Sequence, residues 1–134
     1  CDAQRGIAAS KGRFERVTVE DGGVTGPGWV SLGDLNGDGR TDIVLSSLGP
    51  VVQDGSNLRL SPGSVQVYLQ GETPSCWQRV EVLGPDAGLY FPNQTTLRDM
   101  DGDGDLDVFV PAGFFVCTFD TAVRTCGALS WLEN

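Results

Sequence analysis

The chain has 134 residues, with 9 basic and 18 acidic side chains for a formal net charge of −9, and no histidine. This length suits one ordinary domain with a modest core, and 40% apolar against 20% charged residues describes a folded chain rather than a disordered one. The missing histidine removes the commonest general base, the Ser-His-Asp and Cys-His arrangements and most zinc sites, and the shortage of Lys and Arg argues against nucleic acid as a partner.

In chain order the elements read as short strands. Val17 and Val19 alternate with polar neighbours, which predicts a strand over 13–20. A strand over about 28–33 leads into the acidic segment 34–42, and the apolar run Ile43-Val44-Leu45 predicts a strand at 42–47 buried on both faces. Residues 49–62 read as a long loop. Strands follow at about 64–70, with Val65 and Val67 alternating, and at 77–83, with Val80 and Val82. The second half predicts strands at about 94–98 and 106–111, a long loop from Pro111 to Cys126 carrying Phe114, Phe115 and Phe119, and a last strand at 127–133. Trp29, Trp77 and Trp131 lie at or beside these strands and read as packing residues. No helical stripe stands between caps, and nineteen glycines with seven prolines call for many turns. The fold class is all-β. The longest nearly unbroken apolar stretch, Val108 to Val116, falls far short of the ~20 residues of a membrane helix, so no transmembrane segment is expected.

The chain is also a repeat. Arg13–Val19 corresponds to Cys76–Val82, Asp34–Asp42 to Asp99–Asp107, and Gly63–Leu69 to Gly127–Glu133, at offsets of 63, 65 and 64. A single two-repeat unit over 1–134 is expected, with repeats at about 12–71 and 75–134.

Both acidic segments follow the pattern Asp-x-(Asn/Asp)-x-Asp-Gly-x-x-Asp. Oxygens at positions 1, 3 and 5 face one point when the loop curls, Gly39 or Gly104 permits the turn, position 7 offers its carbonyl and the last Asp closes the ring. These are hard ligands suited to Ca²⁺. The expected ligands are Asp34, Asn36, Asp38, the carbonyl of Arg40 and Asp42, then Asp99, Asp101, Asp103, the carbonyl of Asp105 and Asp107, for two Ca²⁺ ions. So many carboxylates without a cation would repel one another. An EF-hand needs Glu at position 12 and flanking helices; Leu45 and Val110 stand there, so that reading fails. Eight of the eighteen acids lie in these loops, and two bound Ca²⁺ would bring the charge from −9 to −5.

On these residues the chain resembles the FG-GAP/VCBS repeats of integrin-α-type β-propellers over roughly 12–134. The resemblance implies that each repeat is a four-stranded propeller-type blade with Ca²⁺ between its first two strands. Counted this way, the strands make two blades, circularly offset, with 13–20 belonging to a preceding blade. Two blades cannot close around a channel, since closed propellers typically need about 4–8. One expectation is therefore a homo-oligomer, in which residues 13–20 of one copy complete the last blade of the next, head-to-tail, as a ring or filament. The other is a piece of a larger propeller that acts as a protein- or glycan-recognition or adhesion module, using the loops 49–62 and 111–126.

Four cysteines without CxxC spacing read as disulfides in an oxidising setting, extracellular or at the cell surface. Cys117 and Cys126 flank one loop and are expected to pair. Cys1 and Cys76 remain, to pair within or between chains. Cys1 also fits the lipidated first residue of a bacterial lipoprotein, which would make it a lipid anchor. Asn93-Gln94-Thr95 matches the N-glycosylation pattern. With no histidine and no nucleophile beside a base, the chain is not expected to be an enzyme.

Overall fold

The computed structural model describes residues 14, 16–114, 116 and 127–134. Its elements are β1 (Pro27–Gly33), β2 (Asp42–Ser47), β3 (Val51–Asp54), β4 (Asn57–Leu60), β5 (Ser64–Gln70), β6 (Trp77–Leu83), a 3-10 turn (Pro85–Ala87), β7 (Thr96–Arg98), β8 (Asp107–Ala112) and β9 (Ala128–Leu132). They form a four-stranded sheet in the order β1-β2-β5-β6, a two-stranded hairpin β3-β4 and a three-stranded sheet β7-β8-β9. All pairings are antiparallel. The all-β expectation holds, and seven of these strands fall within two residues of the predicted ends.

The central strands β2, β5 and β8 are the most buried, whereas β6 is largely exposed. Val44 pairs with Val67 across β2 and β5, and Val108 with Leu132 across β8 and β9. The two large sheets meet face to face. Val44, Val65 and Val67 of the first and Val108 and Val110 of the second form one core with Leu35, bordered by Leu69, Leu97, Leu106 and Leu132. Alternation along each strand sends the intervening residues to the opposite faces. Thus Ile43, Leu45, Gln66 and Tyr68 lie on the far face of the first sheet, and Phe109, Leu129 and Trp131 on the far face of the second.

The connection between the sheets is hydrogen-bonded to both. The carbonyl of Leu89 accepts from Gly63 N at 2.7 Å, that of Tyr90 accepts from Gly113 N at 2.7 Å, and Asn93 N donates to the carbonyl of Pro111 at 2.7 Å. Ser31 Oγ donates to the carbonyl of Thr95 at 2.6 Å, and the Thr95 hydroxyl donates back to Ser31 Oγ at 2.8 Å. Gly63 sits where a Cβ would run into the Ser47 carbonyl and the ring of Pro92, so the connector can lie against β5 only with glycine there.

Two expectations are corrected. Residues 49–62 are mostly a hairpin: Asp54 pairs with Asn57 around Gly55, whose φ of 61° is the left-handed geometry that tight hairpins demand. The described part of 13–20, namely Phe14 and Arg16–Glu20, forms no strand. Its alternation was genuine, but an edge strand forms only when a partner edge is available. At its end, Glu20 Oε2 accepts from the Tyr68 hydroxyl at 2.9 Å and pairs with Arg79 at 3.4 Å, which holds this segment on the far face of the first sheet. Burial alone would raise the Glu20 carboxyl, but the bonds from Tyr68 and Gly23 and the nearby Arg79 charge outweigh it and lower it. Burial first, and Glu20 second, push the Tyr68 phenol up to about 12.

Candidate metal centre

The two acidic loops join the first two strands of their sheets, and the same brace at their last Asp shapes both. Asp42 and Asp107, at position 9, are buried. Asp42 Oδ2 accepts from Leu35 N at 2.9 Å and Oδ1 from Gln70 N at 2.8 Å. Asp107 Oδ2 accepts from Met100 N at 3.0 Å and Oδ1 from Asn134 N at 3.1 Å. Each carboxylate therefore ties the second loop residue to the end of the third strand of its sheet, at the base of the loop. Gln70 and Asn134 were not among the sequence candidates, because their part is played by backbone amides that any residue possesses.

Above these braces the side chains at positions 1, 3 and 5 turn inward. Asp34 accepts from Asp38 N (3.1 Å) and Gly39 N (2.8 Å), Asn36 Oδ1 from Asp38 N (3.1 Å), and Asp38 Oδ1 from Arg40 N (2.9 Å). In the second loop Asp99 accepts from Gly102 N (2.7 Å) and Gly104 N (3.1 Å), Asp101 from Asp103 N (3.3 Å), and Asp103 from Asp105 N (3.1 Å). Gly39 and Gly104 have φ of 82° and 105°, the region that lets each loop reverse with its amides pointing inward.

The loops differ in charge. In the second, one oxygen from each of Asp99, Asp101 and Asp103 lies within 4.8 Å of the others, a group that could hold a metal ion. Asp105 adds a further carboxylate whose Oδ1 is enclosed and has no hydrogen-bond partner. Its bond to Asp103, burial, and the charges of Asp103, Asp107 and Asp101 raise the Asp105 carboxyl, while the amide of Asp105 and the shared hydrogen bond hold Asp103 low. A crowd of oxygens with a stranded acceptor fits a hard cation such as Ca²⁺. In the first loop, Asn36 and Arg40 stand at the places of Asp101 and Asp105. Asn36 Nδ2 donates to Asp38 Oδ2 at 2.8 Å, and the Arg40 guanidinium pairs with that same oxygen. Burial would raise Asp38, but the Arg40 amide, Asn36 and the Arg40 charge together lower it.

Of the cysteine expectations, Cys1, Cys117 and Cys126 lie outside the described residues, as do Phe115 and Phe119; Cys76 is disulfide-bonded. Thr95 of the glycosylation pattern is buried and bonded to Ser31. Trp131 is half exposed on the far face of the second sheet, stacked on Phe109 with centroids 6.2 Å apart and planes 6° apart. Among the described residues no helix is long and apolar enough to cross a membrane.

Residues 26–56 match the FG-GAP repeat family. The matched stretch carries β1, the loop 34–42, β2 and β3 with the turn that follows it. No curated protein and no solved structure matches the chain.

Proposed function

We propose that this chain is a non-catalytic, extracellular, calcium-binding module of β-propeller type, made of two blades that associate head-to-tail with further copies. The FG-GAP match, the antiparallel sheets and the Asp99–Asp101–Asp103 cluster support the propeller and calcium parts of this reading. Calcium would be held by Asp99, Asp101, Asp103 and the Asp105 carbonyl, and by Asp34, Asn36, Asp38 and the Arg40 carbonyl. Asp42 and Asp107, expected to close each ring, also brace the loops from below. The ion's contribution is to offset two negative charges in each loop and add stability of RT ln(1 + [Ca²⁺]/Kd).

Self-association rests on one observation: equivalent positions of the two repeats differ in what covers them. Leu35, Val65 and Val67 are 7%, 0% and 7% exposed because the second sheet lies on them; their counterparts Met100, Leu129 and Trp131 are 51%, 71% and 49% exposed. On the opposite side, Leu97 packs on the first sheet while its counterpart Leu32 is 62% exposed, beside the exposed Val30; Leu45, the counterpart of Val110, is half-buried. The molecule thus displays both halves of the interface it already makes internally. A second copy that sets its Leu32 face on the Met100–Leu129–Trp131 face continues that packing. The contact is heterologous and gives a ring or an open filament. The outer edge of β9, with no strand beside it among the described residues, offers unpaired backbone groups to the neighbour's 13–20 segment.

Sedimentation velocity at tens of micromolar in calcium should show oligomers. Leu129→Asp and Leu32→Asp should each give monomer, and their mixture should stop at a dimer, since each retains one intact face. A wild-type monomer overturns self-association. That result favours a second reading, supported by the same exposed faces, in which further blades of one longer chain cover them. Recognition of a protein or glycan would then fall to loops such as the exposed β3–β4 hairpin. For the calcium part, EDTA should lower Tm, and an unchanged Tm overturns it.

A further inference from the structure

We infer that Arg40 is a built-in competitor for the cation of the loop 34–42, so that the two loops fill in a set order, 99–107 first and 34–42 second. This deepens the calcium reading above and rests on it. The two loops share the brace at position 9, the bond from the position 6 amide to the position 1 carboxylate and the inward turn of positions 1, 3 and 5, so these features do not separate them. Position 7 does. There the second loop carries Asp105, whose enclosed Oδ1 lacks any hydrogen-bond donor, and the first loop carries Arg40.

The guanidinium is not left to drift in solvent. Arg40 Nε donates to the carbonyl of Gln70 at 2.8 Å, which tethers the guanidinium to the end of β5, and its terminal nitrogen pairs with Asp38 Oδ2. The same oxygen also accepts from Asn36 Nδ2 at 2.8 Å. A cation that uses Asp38 Oδ2 must displace both donors, the Asn36 amide and the Arg40 guanidinium. It then sits close to a tethered positive charge. In the second loop no basic side chain is paired with an oxygen of Asp99, Asp101 or Asp103 among the described residues. Formal charge adds to the difference: three carboxylates and one guanidinium in the first loop, five carboxylates in the second. Each of these differences weakens the first loop for a divalent ion.

The test is calorimetric titration of the full chain with CaCl₂, with stability in EDTA checked by circular dichroism. The wild type should bind one ion tightly and one at least about tenfold more weakly, a gap that narrows with added salt. Asp103→Asn should remove the tight phase and Asp38→Asn the weak one. Arg40→Ala, and Arg40→Gln as the milder variant, should tighten the weak phase by roughly tenfold and leave the tight phase within about twofold. Asp105→Arg should weaken the tight phase. Two equal wild-type sites, a tighter site in 34–42, or a weak phase unmoved in both Arg40 variants would overturn the inference while leaving calcium binding intact. Absence of any calcium heat in the wild type and in both Arg40 variants would instead overturn the calcium reading itself.

Discussion

Asp42 is the residue whose loss should be felt most outside the apolar core. Its side chain is fully buried, and its two oxygens accept from Leu35 N at 2.9 Å and Gln70 N at 2.8 Å. Asp42→Asn keeps the shape but replaces one acceptor with an NH₂ group that faces a backbone N–H, so one bond is lost and two donors oppose each other. A hydrogen bond to a charged group contributes about 1.5–3 kcal/mol, and a stranded buried donor costs about 1–3 kcal/mol. The variant should therefore lose about 3 kcal/mol, a large share of the 5–15 kcal/mol typical of a domain. Because Asp107 makes the same pair of bonds, with Met100 N and Asn134 N, Asp107→Asn should lose a similar amount. Urea denaturation followed by tryptophan fluorescence, without reductant and in excess EDTA, isolates the brace from any bound ion. With a urea slope of about 1–3 kcal/mol/M, the midpoint should fall by roughly 1–3 M. A shift that corresponds to less than about 0.5 kcal/mol in EDTA would refute the brace, and a loss seen only in calcium would make Asp42 a ligand instead.

Three further outcomes follow from the packing and from the Glu20 contact. Leu35→Ala should cost about 2–4 kcal/mol at any protein concentration, whereas Met100→Ala, at the equivalent place, should leave the monomer nearly unchanged and weaken association; equal urea midpoints would refute the asymmetry. Because the Tyr68 phenol is raised to about 12 from 10.0, its contribution to stability is complete below pH 10 and declines as the pH rises toward 12. Absorbance at 295 nm should show a tyrosine titrating near 12 in the native protein and its loss in Tyr68→Phe. Glu20 has the opposite sign: its carboxyl is lowered, so its contribution is present above about 4.5 and lost as the pH falls further, a loss that Glu20→Gln should remove from the acid-denaturation profile.

Strand positions were legible because alternation and apolar runs are properties of neighbouring residues, and β2, β5, β6 and β8 stand where Ile43–Leu45, Val65–Val67, Val80–Val82 and Val108–Val110 placed them. The hairpin at 51–60 carries its own signal, Asp54-Gly55 between Val51-Val52 and Leu58-Arg59-Leu60, but strands of only four residues each leave that signal weak. The inward oxygens of the acidic loops were legible from spacing alone. The partners of Asp42 and Asp107 were not, since backbone amides leave no mark in a sequence. Nor was the bond from Tyr68 to Glu20, across 48 residues, or the pairing of Arg40 with Asp38, since nothing in the local pattern turns a side chain toward one two residues along.

The two repeats make the boundary between these kinds of information visible. By itself the sequence determined the strands, the turn glycines and the inward carboxylates, because each depends on the chain within a few residues. Only the tertiary structure decided that Leu35, Val65 and Val67 are core while Met100, Leu129 and Trp131 are surface. The two sets occupy equivalent places and are alike in local pattern. What separates them is a second sheet packed about 10 Å away on one face and absent from the other among the described residues, and burial depends on that neighbour rather than on the strand.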